Sequence, residues 1–230
     1  MAASTNVILA QSEANVSDQA SLQRGASLYF NYCAGCHSIK YMRYARIADD
    51  LDLTEDQLMN NLVFTDAKPG DLVTAAMPAA SADWFGAAPP DLSLTARSRG
   101  SDWIYSYLKA FYVDPSRPLG WNNTVFPAAS MPNVLWERQG VQTLAEHGDD
   151  DAHEGGHGMR LEDQFELVSE GTRSAAQFTQ DARDITNFLT YVGEPAALQR
   201  EKYGVWVFLY LLILTGVLYV LKHEYWRDVH

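Results

Sequence analysis

Apolar residues recur at helical spacing in four stretches of the chain and run together in a fifth. Leu22, Ala26, Tyr29 and Cys33 are spaced by four, three and four, which predicts a helix over 17–32 with Ser17 as its N-cap. Thr54 heads a second, shorter pattern over 54–64, with Leu58, Leu62 and Asn61 on one face. Ile104, Leu108 and Phe111 align over 103–112, and Asp114-Pro115 stops that helix. Ala182, Ile185, Phe188, Leu189 and Val192 share a face over 179–192, which Gly193 and Pro195 end. Between these stretches, 65–100 and 113–140 are rich in Pro, Gly and Ala and read as loop. No strand alternation of any length and no internal repeat is visible, and 1–16 reads as a loosely held arm. The expected fold is therefore mainly α, short helices joined by long loops, with little regular core for its size. A large prosthetic group would fill such a middle.

The fifth stretch is different in kind. Nineteen residues without a formal charge separate Lys202 from Lys222. As a helix they run about 28 Å, close to the hydrocarbon thickness of a bilayer. Tyr203 and Trp206 stand at one end and Tyr219, Tyr225 and Trp226 at or beyond the other, where interfacial aromatics belong. A core helix apolar on all faces is a poor alternative in a domain of this size.

Composition narrows the function. The 230 residues carry 17 Lys and Arg against 29 Asp and Glu, a formal net charge of −12. That argues against nucleic acid, whose phosphates need a cationic surface. It suits a basic protein partner. Between Glu146 and Glu166 there are eight acids and one arginine. His147, His153 and His157 lie in or beside this run, which reads as a solvated acidic docking surface rather than a metal site.

The chemistry rests on the only two cysteines. Cys33-Ala34-Gly35-Cys36-His37 is a C-x-x-C-H run, the attachment signal for c-type haem. Two thiols three residues apart on a helical turn each add to one vinyl group of the same porphyrin. The neighbouring histidine then supplies an axial nitrogen. A redox dithiol is the poorer reading, because such motifs open a helix and this one closes one. A zinc site lacks its second ligand pair. The opening MAASTNVILA has no basic start and too short an apolar stretch for a signal peptide. Covalent haem is attached outside the bacterial cytoplasm, so a leader is expected to have been removed or replaced by Met1. The second axial ligand is open on spacing alone. Met77 and Met131 sit in loops beside prolines, 40 and 94 residues after His37, while Met42, Met59 and Met159 are further candidates. Spacing slightly favours Met77. Arg97 and Arg99 offer forks for the haem propionates.

These motifs together resemble the cytochrome c1 family. The resemblance is carried by CAGCHS followed by Tyr41-Met42-Arg43-Tyr44, by Ala88-Pro89-Pro90-Asp91-Leu92-Ser93 with its arginines, and by Asp114-Pro115 through Met131-Pro132-Asn133-Val134-Leu135-Trp136. Gly193-Glu194-Pro195 and the single C-terminal helix, ending Tyr225-Trp226-Arg227-Asp228-Val229-His230, complete it. It covers nearly the whole chain from about Ser17. It implies a c-type cytochrome fold with Cys33, Cys36 and His37 at the haem, Met131 rather than Met77 as second ligand, Pro90 as a further haem contact, and Arg97 on a propionate with Arg99 as the alternative. It implies an electron carrier of a bacterial bc1 complex, in which one covalent haem c passes electrons from the Rieske iron–sulfur protein to a soluble or tethered c-type cytochrome. Cytochrome b, membrane lipid and a dimeric complex are the other implied partners. The expected layout is an arm over 1–16, a periplasmic haem domain over 17–200, an inner-membrane anchor over 201–222 and a cytoplasmic tail over 223–230. Two alternatives share these residues: a membrane-anchored shuttle or oxidase haem subunit, and a haem enzyme or gas sensor with an open sixth position.

Overall fold

The computed structural model describes residues 7–78, 80–145 and 160–227. The chain divides after Gly193 into two units. In the first, α1 (Gln19–Tyr32) and α8 (Ala175–Gly193) pack along each other in the most extensive contact between elements. Leu22, Ala26, Tyr29 and Phe30 of α1 and Ala182, Ile185, Phe188 and Leu189 of α8 are buried. Each of the larger aliphatic and Phe side chains contributes about 1.5–3 kcal/mol on leaving water. Gly25 allows the approach: a Cβ there would overlap the main-chain carbonyl of Asp184 and the Cβ of Phe188. A line of rings extends the contact, with Tyr29 5.5 Å from Phe188 and Phe30 5.6 Å from Tyr44.

The smaller elements surround this pair. They are β1 (Ile39–Arg43), α2 (Tyr44–Asp50), α3 (Glu55–Asn61), β2 (Leu72–Val73), α4 (Ser81–Phe85), α5 (Thr95–Arg99), α6 (Ser101–Lys109), β3 (Phe111–Val113), β4 (Trp121–Asn123), α7 (Trp136–Gln139), β5 (Gly140–Leu144) and β6 (Phe165–Glu170). The strands form three antiparallel pairs, β1 with β2, β3 with β4 and β5 with β6. The mainly α expectation holds, but the expected lack of strands does not. Strands of two to six residues are too short to show alternation, and their pairing is a tertiary property.

Element ends differ from the sequence reading for local reasons. Asp18, not Ser17, caps α1, its carboxylate accepting the Ser21 amide at 3.0 Å. Thr54 caps α3 as expected, in a reciprocal box with Gln57. The same device starts α8 four residues early: the Ser174 amide donates to Gln177 Oε1 and the Gln177 amide to Ser174 Oγ. Met42 lies in β1. Within 65–100, α4, α5 and β2 interrupt the expected loop.

The expected loose arm is held from Ala10 to Asn15. The Ala10 amide donates to Ser106 Oγ at 2.9 Å, and Ser12 donates through both its amide and its hydroxyl to Asp102. The Asn15 amide donates to Asn187 Oδ1 at 2.9 Å. Polar residues give no periodic signal, yet these contacts bury Ser12 completely.

The second unit is α9 (Ala196–Trp226). Within it Lys202–Trp226, 25 residues, is long and apolar enough to cross a membrane. Its side chains are exposed along its length, as lipid-facing groups are.

Candidate haem site

The C-x-x-C-H run occupies the turn that closes α1. The Cys33 and Ala34 amides both donate to the Tyr29 carbonyl, at 2.8 and 2.9 Å. The Cys36 and His37 amides return to the Cys33 carbonyl at 3.0 and 2.8 Å. The Tyr29 hydroxyl donates to the His37 carbonyl at 2.6 Å and clamps the turn to the buried face of α1. Both thiols and the imidazole are thus fixed on one tight loop. Burial, helped by the neighbouring Cys36, pushes the Cys33 thiol up to about 12, and burial also raises Cys36.

His37 is positioned by a segment 53 residues away. Its Nδ1 lies 2.8 Å from the Pro90 carbonyl. A carbonyl only accepts, so Nδ1 carries the hydrogen and Nε2 keeps its lone pair. Burial lowers the imidazole from its ordinary value, against the Pro90 hydrogen bond and Asp91, which favours the neutral ring. A neutral imidazole oriented through its far nitrogen is what an iron ligand requires. The residues present therefore fit a covalent haem.

The Pro90 segment is itself pinned alongside 38–41. The Leu92 amide donates to the Ser38 carbonyl at 2.8 Å, the Lys40 amide to Asp91 at 3.0 Å and the Tyr41 amide to Ser93 Oγ at 3.1 Å. Partial burial raises the Asp91 carboxyl. Hydrogen bonds from the Ser93 hydroxyl and from the Lys40 and Ser93 amides outweigh it and hold the group below its ordinary range.

Met131 is half-buried, and its sulfur accepts a hydrogen bond from the Tyr107 hydroxyl at 3.5 Å. The loop before it is built from side-chain caps. Asn123 Oδ1 accepts the Val125 and Phe126 amides, both at 3.0 Å. Asn122 Oδ1 accepts the Ala128 amide at 2.9 Å, and Arg117 donates to the Ala128 carbonyl at 3.1 Å. These contacts hold Ala128 at φ 62°, which costs a non-glycine residue about 1–2 kcal/mol. Met77 is also half-buried in a loop, Met42 is buried in β1 and Met59 is half-buried in α3. Met159 and the three histidines of the acidic stretch lie outside the described residues.

Two arginines on α5 take different surroundings. The Arg99 guanidinium stands 5.1 Å from the Trp103 ring and 5.9 Å from the Phe126 ring. Trp103 stacks on Tyr107 at 5.0 Å, with the ring planes 9° apart. Arg99 thus belongs to the cluster that ends at Met131. The stem of Arg97 packs instead beside Gly193 at the end of α8. Trp103, Tyr107 and Phe126 were missed in the sequence. The available signal was Trp103 and Tyr107 at an interval of four, which the reading through Ile104, Leu108 and Phe111 passed over.

A covalent-haem turn on a mainly α domain, followed by one membrane-length helix, defines an anchored c-type cytochrome. The family model described as the Cytochrome C1 family matches residues 11–229, and the chain belongs to that family. It is 51% identical to the cytochrome c1 of Allochromatium vinosum over 214 residues, 93% of this chain and 86% of that one. It is 41% identical to a protein of Nitrosomonas europaea named ammonia monooxygenase gamma subunit, over 93% of this chain and 85% of the other. The cytochrome c1 of Rhodospirillum rubrum is 30% identical over 92% of this chain and 83% of its own. The chain carries one covalent haem c at Cys33 and Cys36 and serves as the electron-carrying subunit of a bc1-type quinol–cytochrome c oxidoreductase.

Proposed function

We propose that His37 and Met131 would hold the haem iron, with Arg99 rather than Arg97 meeting a propionate and the Pro90 carbonyl orienting His37. The haem, when bound, supplies a one-electron Fe(III)/Fe(II) couple whose potential methionine ligation raises. The observation that carries this reading is the Nδ1–H bond of His37 to Pro90, which leaves Nε2 available. With His37 and Met131 both on the iron, no position would be left for substrate or gas, which suits a carrier and not a haem enzyme. The electron donor is the Rieske iron–sulfur protein and the acceptor a soluble or tethered c-type cytochrome, with cytochrome b as membrane neighbour in a dimeric complex. The acidic excess of the chain steers a cationic acceptor and releases it quickly.

The domain over 17–200 faces the periplasm, where haem attachment takes place. The segment over 201–222 crosses the inner membrane, and the tail over 223–230 is cytoplasmic. Lys222 and Arg227, just beyond the apolar run, agree with the positive-inside tendency.

The test is a reduced-minus-oxidised spectrum of the protein purified gently from its native membrane. Copurification of b-type haem and a Rieske cluster, with quinol-driven reduction of the c-type signal, is the expected result. A c-type signal alone returns the anchored-shuttle reading. Copurification with an ammonia monooxygenase instead would follow the Nitrosomonas relative's name.

A further inference from the structure

We infer that Tyr107 is a positioning residue for the haem, donating its phenol hydrogen to the Met131 sulfur so that the thioether binds in one orientation and the reduction potential is raised. The inference rests on Met131 being the second axial ligand. It starts from the 3.5 Å contact between the Tyr107 hydroxyl and Met131 Sδ.

A thioether sulfur has two lone pairs and no hydrogen, so it accepts and the phenol donates. If one lone pair faces iron, the second remains for Tyr107, and the donor selects which of the two is used. Both partners are held in advance. The Tyr107 ring is stacked on Trp103 and meets Phe111 edge-on at 5.0 Å and 70°. Asn123 joins the two elements directly. Its Nδ2 donates to the Tyr107 carbonyl at 2.9 Å, while its Oδ1 caps the loop that leads to Met131. The hydroxyl and the sulfur therefore meet because α6 and the loop are tied together, and not through two free side chains.

The direction of the effect follows from electron demand. A hydrogen bond to sulfur withdraws density from the ligand and weakens its donation to the oxidised metal more than to the reduced one. The reduced state gains. Across the cycle one electron arrives and leaves, the phenol keeps its proton, and no covalent bond at residue 107 forms or breaks. A net hydrogen bond of ordinary strength shifts the redox equilibrium about two- to tenfold, at most about 59 mV for a one-electron couple.

The experiment compares Tyr107→Phe, 3-fluorotyrosine at position 107 and Met131→Leu in the membrane complex. It reads the near-infrared sulfur-to-iron band and the midpoint potential. Phe keeps the ring and its stacking but has no donor, and 3-fluorotyrosine is a stronger donor of nearly the same shape. The expected result is an intact band in both Tyr107 proteins, with the potential lowered two- to tenfold in equilibrium constant by Phe and raised by fluorotyrosine. A band that depends on Met131 while Tyr107→Phe sits at the unaltered potential overturns the tuning and leaves the ligand assignment standing. Shifts of the same sign in both Tyr107 proteins mark a packing effect and also overturn it. A band that survives Met131→Leu overturns the ligand assignment and this inference with it. Should Tyr107→Phe fail to accumulate, the absence of an upward shift with fluorotyrosine is enough to reject the inference.

Discussion

His37 and Pro90 are joined through a ring nitrogen and a main-chain oxygen, 2.8 Å apart. The asymmetry of that pair gives an unequal response to mutation. The acceptor is a backbone atom, so Pro90→Ala retains it, and the flanking bonds from Leu92 and Lys40 keep the segment in place. His37→Ala removes the only imidazole in the turn. Pro90→Ala is expected to retain a normal low-spin c-type spectrum, and His37→Ala to lose it even where thioether attachment persists. Visible spectra, with haem content measured on the denatured protein, check both. A His37→Ala protein with an unaltered low-spin spectrum would refute the assignment.

Gly25 makes the α1–α8 crossing sensitive to a single methyl group. A Cβ at 25 would strike the Asp184 carbonyl, which is backbone and has no rotamer to escape into. The nearby polar network magnifies any shift, because Asp184 holds Arg24 at 2.6 Å and Ser21 at 2.6 Å. Gly25→Ala is expected to cost about 3 kcal/mol or more, at the upper end of overpacking effects. Thermal unfolding of the detergent-solubilised protein measures it. A midpoint equal to that of the unaltered protein would show that the helices move apart freely.

The haem turn, helices α1, α3, α6 and α8 and the membrane segment are legible in the sequence because each is written in neighbouring residues. Cys33, Cys36 and His37 share one turn. The helix faces around Leu22 and Ile185 repeat at helical spacing, and both side chains are buried. What is not legible depends on distance. Pro90 reaches His37 from 53 positions away, and Ser12 is buried by Asp102 from 90 positions away. Spacing pointed to Met77, and only the family resemblance pointed to Met131. The phenol contact at its sulfur is a fact of tertiary packing that no periodicity carries. Arg97 and Arg99 are two residues apart on a short helix, about 200° around its axis, so sequence alone gave no way to tell which of them faces the Met131 cluster.

That separation on α5 gives a charge test. Arg99 lies over Trp103 and Phe126, and Arg97 lies beside Gly193. A cation close to a propionate disfavours the extra positive charge of the oxidised haem. Arg99→Gln is expected to lower the midpoint potential, with a slope that weakens at high salt because both arginines are exposed. Arg97→Gln is expected to leave it nearly unaltered. Redox titration of the two variants at two ionic strengths decides, and the opposite order would return the propionate to Arg97.

Asp114 links the Met131 loop to pH. Hydrogen bonds from the Ser116 hydroxyl and then from Asn122 hold its carboxyl below the ordinary range. The distances are 2.6 Å to Ser116 Oγ and 2.8 Å to Asn122 Nδ2. Asn122 in turn accepts the Ala128 amide, three residues before Met131. A depressed pKa means that the unfolded chain takes up the proton first as pH falls. Stability from Asp114 is therefore complete above about 3.9, the unfolded value, and is lost as pH drops through the lower folded value. Asp114→Asn lacks the carboxylate at every pH. It is expected to be less stable than the unaltered protein at neutral pH, with the gap closing below about pH 4 as Asp114 itself becomes neutral. The near-infrared band reports the loop and thermal unfolding reports the domain, so both should converge in acid. A gap that stays constant across the acid range would show that Asp114 holds the turn as a neutral hydrogen-bonding group and not through its charge.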